Sequence, residues 1–138
     1  MPLAINDEMV AYAAAKLALE GAGARALLDA SDVPTYVTDE DGFVIYANEA
    51  CERFAGRAPA LGQDRWCVTW RLYTDAGEFL PHDQCPMAVA IRERKPIRDA
   101  SAVAERPDGV RVPFHPFPTP IFARDGRLVG AVNVLIPT

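Results

Sequence analysis

The sequence predicts an α+β domain: a five-stranded antiparallel sheet with helices over one face, preceded by a further helix. Three observations predict it. Residues 105–136 read ERPDGVRVPFHPFPTPIFARDGRLVGAVNVLI, in which Pro107-Asp108-Gly109 and Arg124-Asp125-Gly126 separate three apolar runs. Asp hydrogen-bonds the backbone just ahead of it and Gly tolerates positive φ, so each signal closes a hairpin and the stretch reads as a three-stranded meander. Asp39-Glu40-Asp41-Gly42 joins two further apolar runs in the same way. Between the two blocks, Pro86 opens a helical pattern in which Met87 and Ile91 stack four residues apart, and Pro96 closes it.

Bulk properties bound the rest. The 138 residues suit one domain, with half of them apolar and about a quarter charged. No run of 18 apolar residues reads as a membrane span, and no basic n-region with an apolar core reads as a secretory signal. A net charge of −5 argues against a nonspecific nucleic-acid or anionic-membrane binder. Cys51, Cys67 and Cys85 are odd in number, no Cys-x-x-Cys is present, and the two histidines lie far apart. These features argue against a zinc site, and a reduced, cytoplasmic protein is expected.

Residues 6–20 read as a helix, with Asn6 or Asp7 as cap and one apolar stripe of Ile5, Met9, Tyr12, Ala13 and Leu17. Gly21 and Gly23 end or bend it, and residues 24–30 read as a short second helix burying Leu27 and Leu28. The chain thus divides into a helical cap or dimerisation segment, 1–26, and a core domain, 27–138. In the core, 33–38 and 43–47 are strands, and Asn48 caps a helix over 49–54. Residues 56–75 are the least regular part. Trp66 and Trp70, four apart, suggest one helical face, which either packs the core or walls a planar ligand. Residues 77–81 form a turn, and Asp83 or Cys85 caps the helix that Pro96 stops. Of the last three strands, the middle one carries Pro113, Pro116, Pro118 and Pro120. Proline donates nothing to a ladder, so a regular strand is expected only from 110 to about 115, with an irregular exit. The final run, 128–136, is apolar at both parities and is expected to be a central strand covered on both faces.

Three blocks carry a resemblance to a known family. The first is the "PDG" turn, the "PTP" before the next turn and the "DG-x-x-x-G" entry to the last strand. The second is Asp39 to Gly42 followed by Asn48, similar to "D-x-x-G-x-I-x-x-x-N". The third is Asp75-Ala76-Gly77 through Pro81, His82, Pro86 and Met87 to Pro96. In this order and spacing they resemble a PAS domain over about residues 27–136, as found in bacterial histidine kinases and other two-component signalling proteins. The resemblance implies a PAS fold and a sensory, non-catalytic module with a helix lying across an internal pocket. By analogy with flavin-binding members, Ala131, Asn133 and Leu135 point inward. Val110, Val112 and Phe114 on the neighbouring strand also face in, leaving Arg111 and His115 outside. The candidate ligand-binding set is Trp66, Trp70, Met87, Ile91, Phe114, Asn133 and Leu135. Asn133 is a lone amide in an apolar strand, and a buried amide needs a partner: backbone, water or a ligand. The opposite face, Val132, Val134 and Ile136, is also apolar and needs a cover. The N-terminal helix, from the same subunit or a partner, is the candidate, so a homodimer through that helix and the outer sheet face is expected.

Cofactors follow from the same resemblance. Photoactive flavin members carry a cysteine in "G-x-N-C-R-F-L-Q", whereas residues 62–68 here read GQDRWCV, and Phe114 and Leu135 stand where polar flavin contacts are kept. Flavin photochemistry is not expected. His82 lies nearly in register with the axial histidine of haem-binding members, which leaves haem open with His82 as its ligand. Cys85 and His82 are close in sequence, but no catalytic signature or Gly-rich phosphate loop is present, so no enzyme is expected. Two functions compete. One is a sensor that binds a small molecule internally and relays the change through a dimer interface. The other is a protein-interaction module whose pocket is filled by Trp66, Trp70, Phe114 and Met87. Family members commonly finish in "D-I-T" leading to an output helix, whereas this chain ends Ile136-Pro137-Thr138. It is a fragment of a larger sensor or a stand-alone module, and its output is unreadable.

Overall fold

The run with apolar residues at both parities becomes an interior strand. In the computed structural model, which describes residues 28–138, it is β7 (Leu128–Pro137). It pairs antiparallel with β1 (Thr35–Asp39) on one side and β6 (Arg111–Phe122) on the other. β2 (Val44–Ala47) follows β1, β5 (Ala102–Glu105) follows β6, and β3 (Arg71–Tyr73) and β4 (Phe79–Leu80) complete the order β2-β1-β7-β6-β5-β3-β4. The sheet therefore has seven strands where five were expected. The two additions are a hairpin of three and two residues, too short for an alternating pattern to be legible. The expected N-terminal helix and segment 1–26 lie outside the described residues.

Two helices cover one face: α1 (Glu49–Ala55) and α2 (Pro86–Glu93). Against them the sheet presents Tyr36, Val44, Leu72, Ala102, Phe114, Ala131 and Leu135, which form one core with Phe54, Met87, Ala88 and Ile91. Phe54 and Phe114 meet edge to face at 5.1 Å, a favourable arrangement of ring quadrupoles. The other face carries a separate cluster of Leu28, Val37, Tyr46, Ile121 and Val132. Both faces of β7 are thus buried, as its unbroken apolar run requires. A register shift opposite Ile121 and Phe122 leaves Val129 without a partner, and this extra residue lets Leu128 turn back to the helix-covered face.

β6 departs from expectation. It runs unbroken through Pro113, Pro116, Pro118 and Pro120 and pairs with β7 along the way. The reason lies in which edge each proline nitrogen meets. The Pro118 carbonyl accepts from the Ile97 N–H at 3.1 Å, so Pro116, Pro118 and Pro120 turn their backbone polar groups away from β7. On that side β5 reaches only as far as Phe114, so the missing donors interrupt no ladder. Pro113 belongs to the other parity, and its carbonyl accepts from Thr138 N–H past the end of β7. Val110, expected inside, is exposed beyond the Gly109 turn, while Val112 packs on the core and Phe114 is buried in it.

Asn48 caps α1, as its place before the helix predicts. It also does more. Its Oδ1 accepts from Cys51 N–H at 2.9 Å and Thr35 N–H at 3.1 Å, and its Nδ2 donates to the Val33 and Leu28 carbonyls. One buried side chain therefore ties the helix start to β1 and to the segment before it. α2 is shorter than the sequence suggested. It ends at Glu93, and Arg94 in the left-handed region closes it with an N–H to the Ala90 carbonyl. Its N-cap is Cys85, whose side chain makes no capping bond.

Candidate functional site

Residues 56–70 form no helix spanning the two tryptophans. Other forces hold the segment. Arg57 donates to the Asp64 carboxylate at 2.8 Å and to the Val68 carbonyl at 2.7 Å, and Asp64 Oδ2 accepts from Ala60 N–H. Arg65 lies 4.8 Å above the Phe43 ring and 4.4 Å above Trp66, and its Nε donates to the Asp41 carbonyl. A single bridge between Phe43 and Arg65 stitches the segment to β2, and Trp66 then adopts φ 73°. That left-handed residue redirects the chain, so Cys67 and Thr69 turn inward and face the start of the next helical segment.

There a 3₁₀ turn, His82–Gln84, precedes Cys85 and α2. Between this turn and the 57–70 loop lies a cleft of about 160 Å³, lined by Arg57, Asp64, Arg65, Cys67, Thr69, Trp70 and His82. Cys67 Sγ lies 3.2 Å from Thr69 Oγ1, which lies 3.4 Å from His82 Nε2. The Cys85 thiol sits behind Cys67, 3.8 Å from the Trp66 carbonyl. The neighbouring Cys85 thiol first, then His82 and Thr69, hold the Cys67 thiol below the usual thiol range despite its burial. Cys67 in turn, together with desolvation, pushes the Cys85 thiol up. Cys51, buried in α1, is pushed up by burial first.

The Trp66 carbonyl also accepts from the Tyr36 hydroxyl at 2.8 Å. That hydroxyl in turn accepts from Asn133 Nδ2 at 3.1 Å, and Asn133 Oδ1 accepts from the Phe117 N–H at 3.0 Å. Burial, then the nearby Cys67 and Cys85, raise the Tyr36 phenol well above its ordinary value, so it stays a neutral donor. A chain of polar contacts thus runs from the cleft floor to the two central strands. Among the described residues, no buried side-chain polar atom lacks a partner, and no cluster of three or more His, Cys, Asp or Glu is placed to hold a metal.

Residues 32–136 match the PAS domain family. The chain belongs to that family. Solved structures agree on the fold. The PAS domain of a protein from Colwellia psychrerythraea aligns with 20% identity and TM-score 0.59, covering 83% of this chain and 93% of that one. The LOV domain of a blue-light activated histidine kinase from Erythrobacter litoralis aligns with 20% identity and TM-score 0.57, covering 77% and 95%. The light-state dimer of the fungal blue-light photoreceptor Vivid aligns with 15% identity and TM-score 0.56, covering 76% and 77%. No curated protein matches the sequence. PAS domains are in general signal-sensing modules rather than catalysts. Among the described residues no helix is long and apolar enough to cross a membrane.

The structure of this PAS domain distributes the residues singled out from the sequence over two places. Met87 and Ile91 of α2 are buried together with Phe114 and Leu135 of the sheet beneath it, and Trp66 packs against this core, half-buried. Asn133 faces the same side and is partnered by Tyr36 and Phe117. Trp70 stands apart. It is 39% exposed, stacks under the Arg71 guanidinium at 4.1 Å, and lines the cleft rather than the interior. His82, the candidate haem ligand, is half-buried and lines the cleft too. Sequence reasoning missed the partnership of Cys67, Thr69 and Cys85, and it gave no role to Tyr36. No local signal announces them, because Cys67 and Cys85 belong to different elements.

Flavin and haem can be tested against this packing. Tyr36, Met87, Ala88 and Ala102 have no exposed surface, so no water-sized void touches them. Pockets that enclose drug-sized ligands span roughly 300–1,000 Å³. The interior as packed does not fit a flavin ring without opening. The cleft at His82, about 160 Å³, is too small to enclose a haem.

Proposed function

We propose that this PAS domain is a sensory module whose input is a small polar molecule at the cleft between the 57–70 loop and the start of α2. The observation that carries the reading is the polar run His82–Thr69–Cys67 in the cleft, continued through the adjoining Trp66 carbonyl to Tyr36, Asn133 and Phe117. A ligand that prefers one arrangement of Thr69 and His82 biases Trp66 and α2. Met87 and Ile91 on α2, with Phe114 and Leu135 beneath them, respond by repacking. Trp66, Trp70 and Asn133 complete the responsive set. The change then reaches β6 and β7, whose outer face carries Ile121 and Val132 beside Leu28. That apolar face and the N-terminal segment form the homodimer interface through which the signal passes, in the cytoplasm and within a two-component pathway. The cleft's volume suits a molecule of a few heavy atoms.

One observation favours a second reading. The core beneath α2 is filled by its own side chains, as a pure protein-interaction module requires. Native mass spectrometry and an absorption spectrum of the purified chain separate the two. A dimer that carries a small extra mass, lost in Thr69→Val, supports the sensor. A colourless dimer of bare chain mass, with no thermal shift from any small metabolite, supports the interaction module. A Soret band lost in His82→Ala would replace both with a haem site.

A further inference from the structure

The cysteine pair in the cleft carries an inference of its own. Cys67 lines the cleft and is 6% exposed, while Cys85 lies directly behind it and is 2% exposed. Both sit beside Trp66, Cys67 as its chain neighbour and Cys85 with its sulfur 3.8 Å from the Trp66 carbonyl, and both belong to the same buried cluster. Thr69 and His82 flank the outer sulfur from the cleft side. The geometry points to a hydroperoxide-reactive dithiol, in which Cys67 is the attacking sulfur and Cys85 the resolving one.

The chemistry balances with a hydroperoxide, ROOH, as the oxidant. The Cys67 thiolate attacks the terminal peroxide oxygen, an S–O bond forms and the O–O bond breaks. The leaving alkoxide takes up the proton that the thiol had released and departs as the alcohol, or as water for hydrogen peroxide. Cys67 is now a sulfenic acid. Cys85 then attacks the Cys67 sulfur, the S–S bond forms, the S–O bond breaks, and hydroxide leaves with the Cys85 proton as water. Two thiols give up two electrons, and the peroxide oxygens accept them. A small dithiol reverses the oxidation by exchange.

The order of the two sulfurs follows from their surroundings. Cys67 is the one the cleft reaches, and the one whose thiol Cys85, His82 and Thr69 shift towards ionisation. Cys85 is held protonated partly by the Cys67 charge, and the first step consumes that charge. The resolving thiol is therefore restrained until its target exists. Arg57, Arg65 and Asp64 also face the cleft, with Arg57 and Asp64 already paired. Cys51 has no exposed surface and is held protonated, so it serves as an internal control. The resulting disulfide joins the residue that caps α2 to the loop beneath the cleft. The inference shares the cleft with the sensory reading but not its ligand, so failure to find a bound molecule leaves the disulfide readout untouched.

The test treats the reduced full chain with equimolar hydrogen peroxide, then maps the peptides without reduction. The expected result is loss of two hydrogens from the intact mass, a Cys67–Cys85 link within one chain, free Cys51, and full reversal by dithiothreitol. In Cys85→Ser, Cys67 should stop at the sulfenic acid and be trapped by dimedone. In Cys67→Ser, peroxide consumption should fall by at least about ten-fold, the change in thiolate fraction that one pKa unit carries. Oxidation spread evenly over Cys51 and Cys67 would overturn the inference, as would a Cys67 sulfinic acid without any link to Cys85. Mapping of the wild-type chain decides the matter even where a variant fails to fold.

Discussion

Gly42→Ala tests the packing that shapes the cleft. Gly42 has φ +88°, and a Cβ built on it would lie 2.3 Å from both Cε3 and Cζ3 of Trp66. Two costs then add. An L-residue in the left-handed region costs about 1–2 kcal/mol, and forcing atoms into a filled site costs about 1–3 kcal/mol more. The indole has little room to yield, because Trp66 N–H donates to the Gly42 carbonyl at 2.8 Å and Arg65 stacks on its ring. Gly77→Ala supplies the control. Its φ is also +88°, and nothing lies within 4 Å of its would-be Cβ. It should lose only the backbone share, about 1–2 kcal/mol, against about 2–5 kcal/mol for Gly42→Ala. At about 4–8 °C per kcal/mol for a domain near 100 residues, the two melting temperatures should separate clearly. Urea titration followed by tryptophan fluorescence measures both the stability and the displacement of Trp66. Equal losses for the two variants would refute the reasoning, since they would mean that the indole moves aside without cost.

Three further predictions follow from side chains that serve several partners. Asn48→Ala removes a helix cap and leaves the buried Thr35 N–H without its Asn48 partner, while the Val33 and Leu28 carbonyls keep the Thr35 hydroxyl and the Ser31 N–H, so urea denaturation should show a loss of about 2–4 kcal/mol. Tyr36→Phe and Asn133→Leu should each destabilise by about 1–3 kcal/mol. The double variant should lose less than the sum by at least about 0.5 kcal/mol, because the two groups satisfy each other. Alkylation of Cys67 by iodoacetamide reports its thiolate. The groups around that sulfur are Cys85, His82 and Thr69, then Tyr36 behind and Arg57, Asp64 and Arg65 across the cleft. A thiol with a lowered folded-state pKa stays ionised as pH falls below the ordinary thiol range, and its stabilising effect disappears only when pH drops through that lowered value. The rate should therefore be nearly flat from pH 8 to 6, whereas a free cysteine with pKa about 8.5 slows by roughly 70-fold over the same span. A Cys67 rate that tracks free cysteine would remove the electrostatic argument.

The fold was legible where one local rule decided each element. The Asp-Gly turns sit at Gly42, Gly109 and Gly126, all with φ near +90°, and the hairpins between them pair as the turns demand. Asn48 and Pro86 mark helix starts by the chemistry of their own side chains. The prolines of β6 misled because proline propensity is an average over strands with neighbours on both sides. Here the side that the Pro116, Pro118 and Pro120 nitrogens face carries no strand beyond Phe114, and that depends on where β5 stops. No window of β6 contains this information.

The cleft was hidden for a related reason. Trp66 and Trp70 suggested a helix by spacing, but Arg65, stacked between Phe43 and Trp66, takes the chain through a left-handed residue instead. That one backbone choice sends Trp66 towards the core and Trp70 to the surface, and it turns Cys67 to meet a helix cap far along the chain. Two buried cysteines in separate elements look like small apolar residues, and their composition supports no more than that. Their meaning arises only from placement, because the cleft and Thr69 meet one sulfur while the other lies behind it against the Trp66 carbonyl, which makes the pair unequal. Inequality is what distinguishes a site from a core: two equivalent buried thiols would both stay protonated, and neither would respond to what enters the cleft.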